Sequence, residues 1–284
     1  MSMLSGTKSF VLIFAVALSL SLYGCGPATV VGAVGNVINR TIQRKQDEKE
    51  QAYLTDTMPA PNPDKIAVTN LNVAVEYMRE GNYEKALSRL ERARDAKPDY
   101  APVYDMLGLL YQQTGQPVDA EKNFKRALRL KRDNPGTLNN YGQFLCSQGR
   151  EGEAEKYFLK ATGDPLYKTP EIPYTNLGSC AYKQGRVDKA AHYFDKALSL
   201  NPDVPVALLQ MADIHFGQGD YRRAREYLGR YNSVSKPSPR SLWLGIRIQR
   251  KLGDKDAVSS YALLLRNQYP QSNEAQLLKQ SGIR

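Results

Sequence analysis

The chain has 284 residues, 42% of them hydrophobic and 24% charged, enough apolar side chain to build a sizeable core. A net charge of +10 and a pI near 9.4 bring nucleic acid to mind as a partner, and the exported amino terminus described next argues against it. There is no His–Cys cluster at metal spacing, no P-loop and no Gly-x-Ser-x-Gly elbow, so metal, cofactor and hydrolase chemistry are set aside and an enzyme is not expected.

The chain begins like an exported protein. The free amine and Lys8 form a short positive region, and Phe10 to Leu22 is an uncharged apolar run too short to span a membrane. Residues 1–24 are read as a secretory signal peptide. The run ends in Leu22-Tyr23-Gly24-Cys25, which resembles the bacterial lipobox, with Tyr23 where a small residue is more usual. The resemblance implies cleavage before Cys25 and fatty acylation of that residue on its sulfur and its new amine. Three acyl chains bury enough methylenes to hold a soluble body at a membrane, where one would not. Gly26 stands where lipoproteins of the inner membrane commonly carry Asp, so the resemblance implies the outer membrane, with the protein facing the periplasm. An uncleaved helix or ordinary secretion is the alternative.

Residues 25–65 read as a flexible, lipidated tether. Ala28 to Ile38 is small and apolar, Arg40 to Glu50 is charged in both signs, and Pro59, Pro61 and Pro63 interrupt any helix. A short amphipathic helix fits near Val37 to Tyr53. The tether spaces a folded body from the lipid surface.

From residue 66 to 272 the chain repeats six times at a period near 34 residues: 67–100, 101–134, 135–170, 171–204, 205–238 and 239–272, with 273–284 as capping helix and tail. The second copy is cleanest: Tyr104, Leu107, Gly108 and Tyr111, then Gly115, Ala120, Phe124 and Ala127. This is the tetratricopeptide (TPR) signature, and it implies an all-α superhelix, a solenoid of paired helices. Gly108, Gly178, Ala120 and Ala190 sit where helices approach closely, and the Phe and Tyr fill the space between pairs. The later glycine ends each first helix in a left-handed conformation. Pro98, Pro202 and Pro270 stop second helices, and Asn82, Asp99, Asp203 and Asp220 are N-cap candidates. Gly163-Asp164-Pro165 and two extra residues before the fourth copy predict a longer loop.

In such arrays the first helix of each pair lines the concave wall. In the first two copies that wall reads Leu71, Val75, Met78, Met106 and Leu109, apolar with compliant Met. In the middle it reads Asn139, Asn140, Gln143, Asn176 and Tyr182, and at the end Phe216, Trp243, Arg247, Arg250 and Lys251. An apolar mouth beside an amide ladder suits a peptide, whose side chains enter the first and whose backbone meets the second. Covering of Leu71, Val75 and Met78 by the tether is the alternative. The basic carboxylate clamp of chaperone-binding TPR domains is absent, since Leu71 and Val75 hold its positions.

Cys146 and Cys180 lie 34 residues apart on neighbouring first helices, offset by about half a turn. They are either a disulfide, as an oxidising periplasm favours, or two small buried side chains. His192 and His215 are lone residues, read as packing or surface histidines. The basic residues Lys122, Lys125, Arg126, Arg129, Lys131 and Arg132 fall on solvent faces of a second helix.

The lipobox at Cys25, the tether, the opening repeat Asn72-Val73-Ala74-Val75-Glu76-Tyr77 and the runs Asn139-Asn140-Tyr141-Gly142-x-Phe144-Leu145-Cys146 and Tyr174-Thr175-Asn176-Leu177-Gly178-x-Cys180-Ala181 together resemble one family. It is that of the six-TPR type IV pilus biogenesis lipoproteins PilF and PilW. The resemblance covers nearly the full chain. It implies a pilotin, a monomeric outer-membrane scaffold that helps the secretin subunit reach its membrane and form its ring, with no cofactor and no nucleic acid. A TPR lipoprotein adaptor for cell-wall enzymes or for outer-membrane protein assembly is the rival reading.

Overall fold

The computed structural model describes residues 41–49, 62–164 and 167–283. The signal peptide, Cys25 and most of the tether lie outside the described residues. The chain divides into two units, residues 1–62 and 63–284. In the first, residues 41–49 are helical and every described side chain is exposed. No helix among the described residues is long and apolar enough to cross a membrane.

The second unit is a row of six antiparallel helix pairs and a cap. The pairs are α1 (Pro63–Arg79) with α2 (Tyr83–Ala96), α3 (Ala101–Gln113) with α4 (Pro117–Leu130), and α5 (Pro135–Ser147) with α6 (Glu151–Thr162). They continue as α7 (Glu171–Lys183) with α8 (Val187–Leu200), α9 (Pro205–Gly217) with α10 (Tyr221–Val234), and α11 (Pro239–Leu252) with α12 (Lys255–Gln268). The short α13 (Asn273–Gln280) closes the row against α11 and α12.

Local chemistry sets these boundaries. Pro63 opens α1 rather than ending the tether, because a first-turn proline needs no N–H partner and already has a helical φ. Asn82 and Asp220 cap α2 and α10 by accepting from the backbone N–H of Lys85 and Arg223. Asp99 and Asp203 do not cap: α3 and α9 start after Tyr100 and Val204, and neither of these makes a side-chain cap bond. Prolines in the first turn of both helices supply the start instead. Asn134, Asp254 and Ser272 cap α5, α12 and α13, and Ser238 with Ser241 forms a capping box on α11. The turn within each pair is made by a left-handed glycine, as at Gly115 with φ of 73°.

Within a pair the small residue and the ring interlock. A Cβ placed on Gly178 would lie 2.6 Å from the Phe194 ring, and one on Gly108 2.7 Å from Phe124. Only glycine lets the ring lie flat on the facing backbone. Between pairs, Ala120, Phe124, Tyr141, Phe144 and Phe158 form one continuous buried cluster across two repeats. Tyr141 donates to Glu121 at 2.9 Å, and Arg150 bridges the same carboxylate at 2.9 Å. Together with a Lys125 ion pair at 2.8 Å, these bonds hold the Glu121 carboxyl down at about 2, the Lys125 hydrogen bond contributing most. The next interface repeats the device with Tyr193, Lys189 and Glu155.

First-helix backbones approach their counterparts in the next repeat all along the row, from α1 on α3 to α9 on α11, whereas second-helix backbones stay farther apart and meet through long side chains, as Lys189 of α8 does with Glu155 of α6. A row of rods that meet on one side and splay on the other must curve, so the first helices form the inner wall. The longest connection lies between α6 and α7, residues 163–170, after a second helix shortened to 12 residues.

Candidate functional site

The inner wall falls into three stretches of different chemistry. At its start, Leu71 is 9% exposed and packs with Ala74, Leu90 and Val103. It is a core residue, which corrects its place in the expected groove mouth: its side chain is taken up by packing between the first two helix pairs. Met78 and Met106 are half-buried against that core, Leu109 is half-buried against the next, and Val75 is half-buried on α1. The same helix carries Val68, 42% exposed. These side chains retain partial apolar surface.

The middle stretch spends its polar groups on itself. Asn176 Nδ2 donates to Asn139 Oδ1 at 2.8 Å, and Asn140 Nδ2 donates to Asp105 Oδ2 at 2.9 Å. Asn139 is 6% and Asp105 8% exposed. Neighbouring first helices therefore meet through side chains at unequal repeat positions, and the expected amide ladder is largely a seam between helices. Burial pushes the Asp105 carboxyl up to about 6, and Asn140 and the nearby Thr137 offset part of that rise. The seam continues as Tyr182 donates to Asp213 at 2.9 Å and Arg240 donates to Asp213 and Gln210, both at 3.0 Å. Asp105, Asp213 and Arg240 were not singled out by the sequence. Their signal is faint: each takes meaning only from a partner about one repeat away.

Cys146 and Cys180 are joined by a disulfide, with Cα atoms 6.0 Å apart. The half-turn offset still leaves the two Cα atoms within bridging distance. The bridge staples α5 to α7, the first helices on either side of α6 and of the longest connection in the array.

The far end is aromatic and cationic. Phe216, Trp243, Arg247, Arg250 and Lys251 converge with the cap residues Leu277 and Ile283 around an open pocket of about 820 Å³. Arg247 lies over the Phe216 ring at 4.3 Å. His192 is exposed beside Tyr193 and His215 stacks on Tyr227 at 5.3 Å. Among the described residues, no group of His, Cys, Asp and Glu could hold a metal ion.

Comparison with known proteins matches this architecture. Tetratricopeptide-repeat profiles match residues 65–133, 106–167 and 181–241. The type IV pilus assembly protein PilF of Pseudomonas aeruginosa is 34% identical over 206 residues, covering 72% of the chain and 82% of that protein. The solved structure of P. aeruginosa PilF superposes with a TM-score of 0.69 at 32% identity, over 78% of the chain and 100% of PilF. The crystal structure of PilW, a type IV pilus biogenesis factor, gives 0.68 at 32% identity over 75% of the chain and 98% of PilW. An all-helical TPR solenoid with this degree of identity along its repeats places the chain in the PilF and PilW family of type IV pilus biogenesis factors.

Proposed function

We propose that the protein is a pilotin: an outer-membrane lipoprotein, anchored through Cys25 and facing the periplasm, that binds a segment of the type IV pilus secretin subunit and promotes ring assembly. The observation that carries this reading is the PilF relationship, 34% identity over 72% of the chain, together with an array of first helices that leaves a long concave wall. The body is a non-catalytic scaffold in which paired helices present a surface and tertiary contacts keep it rigid. The half-buried Val75, Met78, Met106 and Leu109 form the apolar entrance, and a client segment laid there gains by burying their remaining surface. Leu71 supports this entrance from below rather than lining it.

The direct test is genetic. In cells lacking the protein, heat-stable secretin multimers and surface pili should disappear and return with the wild-type gene. A Cys25→Ser copy should take up no fatty-acid analogue and should restore neither. Secretin rings and pili that persist in the deletion strain would overturn the pilotin reading. Label on the Cys25→Ser protein would overturn the anchor.

A further inference from the structure

We propose that the pocket between α11 and the cap is a second docking site, which takes an acidic segment of a partner polypeptide bearing a large apolar or aromatic side chain beside its carboxylates. This goes beyond the secretin reading and does not depend on it. The pocket lies at the opposite end of the inner wall from the apolar entrance, and its chemistry is different.

Charge selects the ligand's sign. Arg247, Arg250 and Lys251 stand on consecutive turns of α11, all exposed, and among the described residues no side-chain carboxylate lines the pocket. None of the three forms an ion pair among the described residues, whereas Arg240, on the same helix, is held by Asp213. Three like charges without counter-charge raise the local potential and favour an anion. Arg247 is also preset: the Phe216 ring holds one face of the guanidinium at 4.3 Å, leaving its N–H edge free for a planar, bidentate acceptor such as a carboxylate.

Shape and apolar lining select the rest. Trp243 from α11 and Leu277 and Ile283 of the cap line the space, over a floor that includes the fully buried Ile246. Leu277 is 44% exposed and is not among the residues packed into the terminal core. A free inorganic anion would satisfy the cations and leave this surface wet. A pocket of about 820 Å³ is in the range that encloses a ligand of several side chains. Trp or Tyr and Arg on one side and an acidic-apolar segment on the other is the pairing that concentrates binding energy at protein interfaces.

Trp243 is the sole tryptophan of the chain, so its fluorescence reports this pocket alone. The full chain in nonionic detergent is titrated with a short synthetic peptide in which Asp and Glu alternate with Phe. The comparison probes are the same peptide with Asn and Gln for the acids, the same peptide with Ser for Phe, and phosphatidylglycerol vesicles. The expected result is a saturable change in Trp243 emission with the parent peptide. Affinity should fall at least about tenfold with either altered peptide, with Arg247→Glu/Arg250→Glu, and with Leu277→Ser, while helical content is unchanged. No saturable change up to millimolar peptide would overturn the proposal. So would equal binding of the Ser peptide, which marks mere charge attraction, or unchanged affinity in the arginine variant. A response to vesicles and not to peptide would assign the surface to lipid, and a response that tracks protein concentration alone would assign it to a second copy of the chain. Either outcome contradicts the peptide site. Secretin multimers measured in parallel separate this result from the pilotin reading, because loss of peptide binding with rings intact bears on the pocket only.

Discussion

The middle and the two ends of the inner wall carry different chemistry and use it for opposite purposes. In the middle, Asp105, Asn139, Asn140 and Asn176 pair with one another between successive first helices, and Cys146 is bonded to Cys180. At the start, Val75, Met106 and Leu109 retain partly exposed apolar surface, and at the end Arg247, Arg250 and Lys251 have no acidic partner among the described residues. A polar group already satisfied inside the fold has little left to offer a ligand. The contrast therefore divides the wall into a central brace that fixes its curvature and two terminal surfaces that remain free to bind.

The largest expected effect would come from crossing that division at Leu71. Leu71→Glu should lower stability by about 2–5 kcal/mol, through lost core packing and a carboxylate with no partner. Its half-buried neighbour Val75→Glu should cost far less, since the charge can reach water. Thermal unfolding followed by circular dichroism checks this. Equal transitions for the two variants would mean that Leu71 is not part of the core.

The disulfide comes next. It closes a separation of 34 residues, for which loop-closure entropy implies about 4 kcal/mol at most. Reduction, or Cys146→Ser/Cys180→Ser, should lower the thermal transition and loosen amide protection first in α5 to α7. Denatured, unreduced protein should titrate neither thiol, and two reactive thiols would refute the bridge.

Asp105 gives a smaller, pH-dependent effect. Its carboxyl is raised from 3.8 to about 6 in the fold, so the folded state holds the proton more tightly than the unfolded chain. The associated stability is full below about pH 4, declines as the pH rises towards 6, and stays lost above that. The loss is on the order of 2–3 kcal/mol. Asp105→Asn keeps an acceptor for Asn140 and removes the charge. It should raise stability near pH 7 and flatten the profile between pH 4 and 6, as urea unfolding across that range would reveal. An unchanged profile would show that the seam carries no buried charge.

Much of the fold is legible in the sequence because each repeat repeats the same physical problem. Gly108 under Phe124 and Gly178 under Phe194 are visible as a spacing, and the left-handed turn glycines are visible as a period. The helix starts at Asp99 and Asp203 are misjudged because a following proline can begin a helix without a side-chain cap. The wall was harder to read. Repeat position identifies which helix face turns inward, yet Leu71 is taken into the core and Asn139 into a seam, because neighbouring helices meet in unequal register. Asp213 escaped notice altogether, since its partners Tyr182 and Arg240 lie 31 and 27 residues away. The pocket of Arg247 and Arg250 was legible as composition, and its enclosure by Leu277 and Ile283 needed the packing of the cap.

The most direct measurement of how the wall acts is a complementation assay with Val75→Glu/Leu109→Glu in cells lacking the wild-type gene. Both side chains are half-buried, so the variant should accumulate normally and unfold within a few degrees of wild type. Placing two carboxylates in an apolar contact should cost several kcal/mol of binding, and heat-stable secretin multimers should fall to the level of the deletion strain. A folded, membrane-anchored double variant that supports multimers at wild-type abundance would contradict the assignment of client binding to this end of the wall.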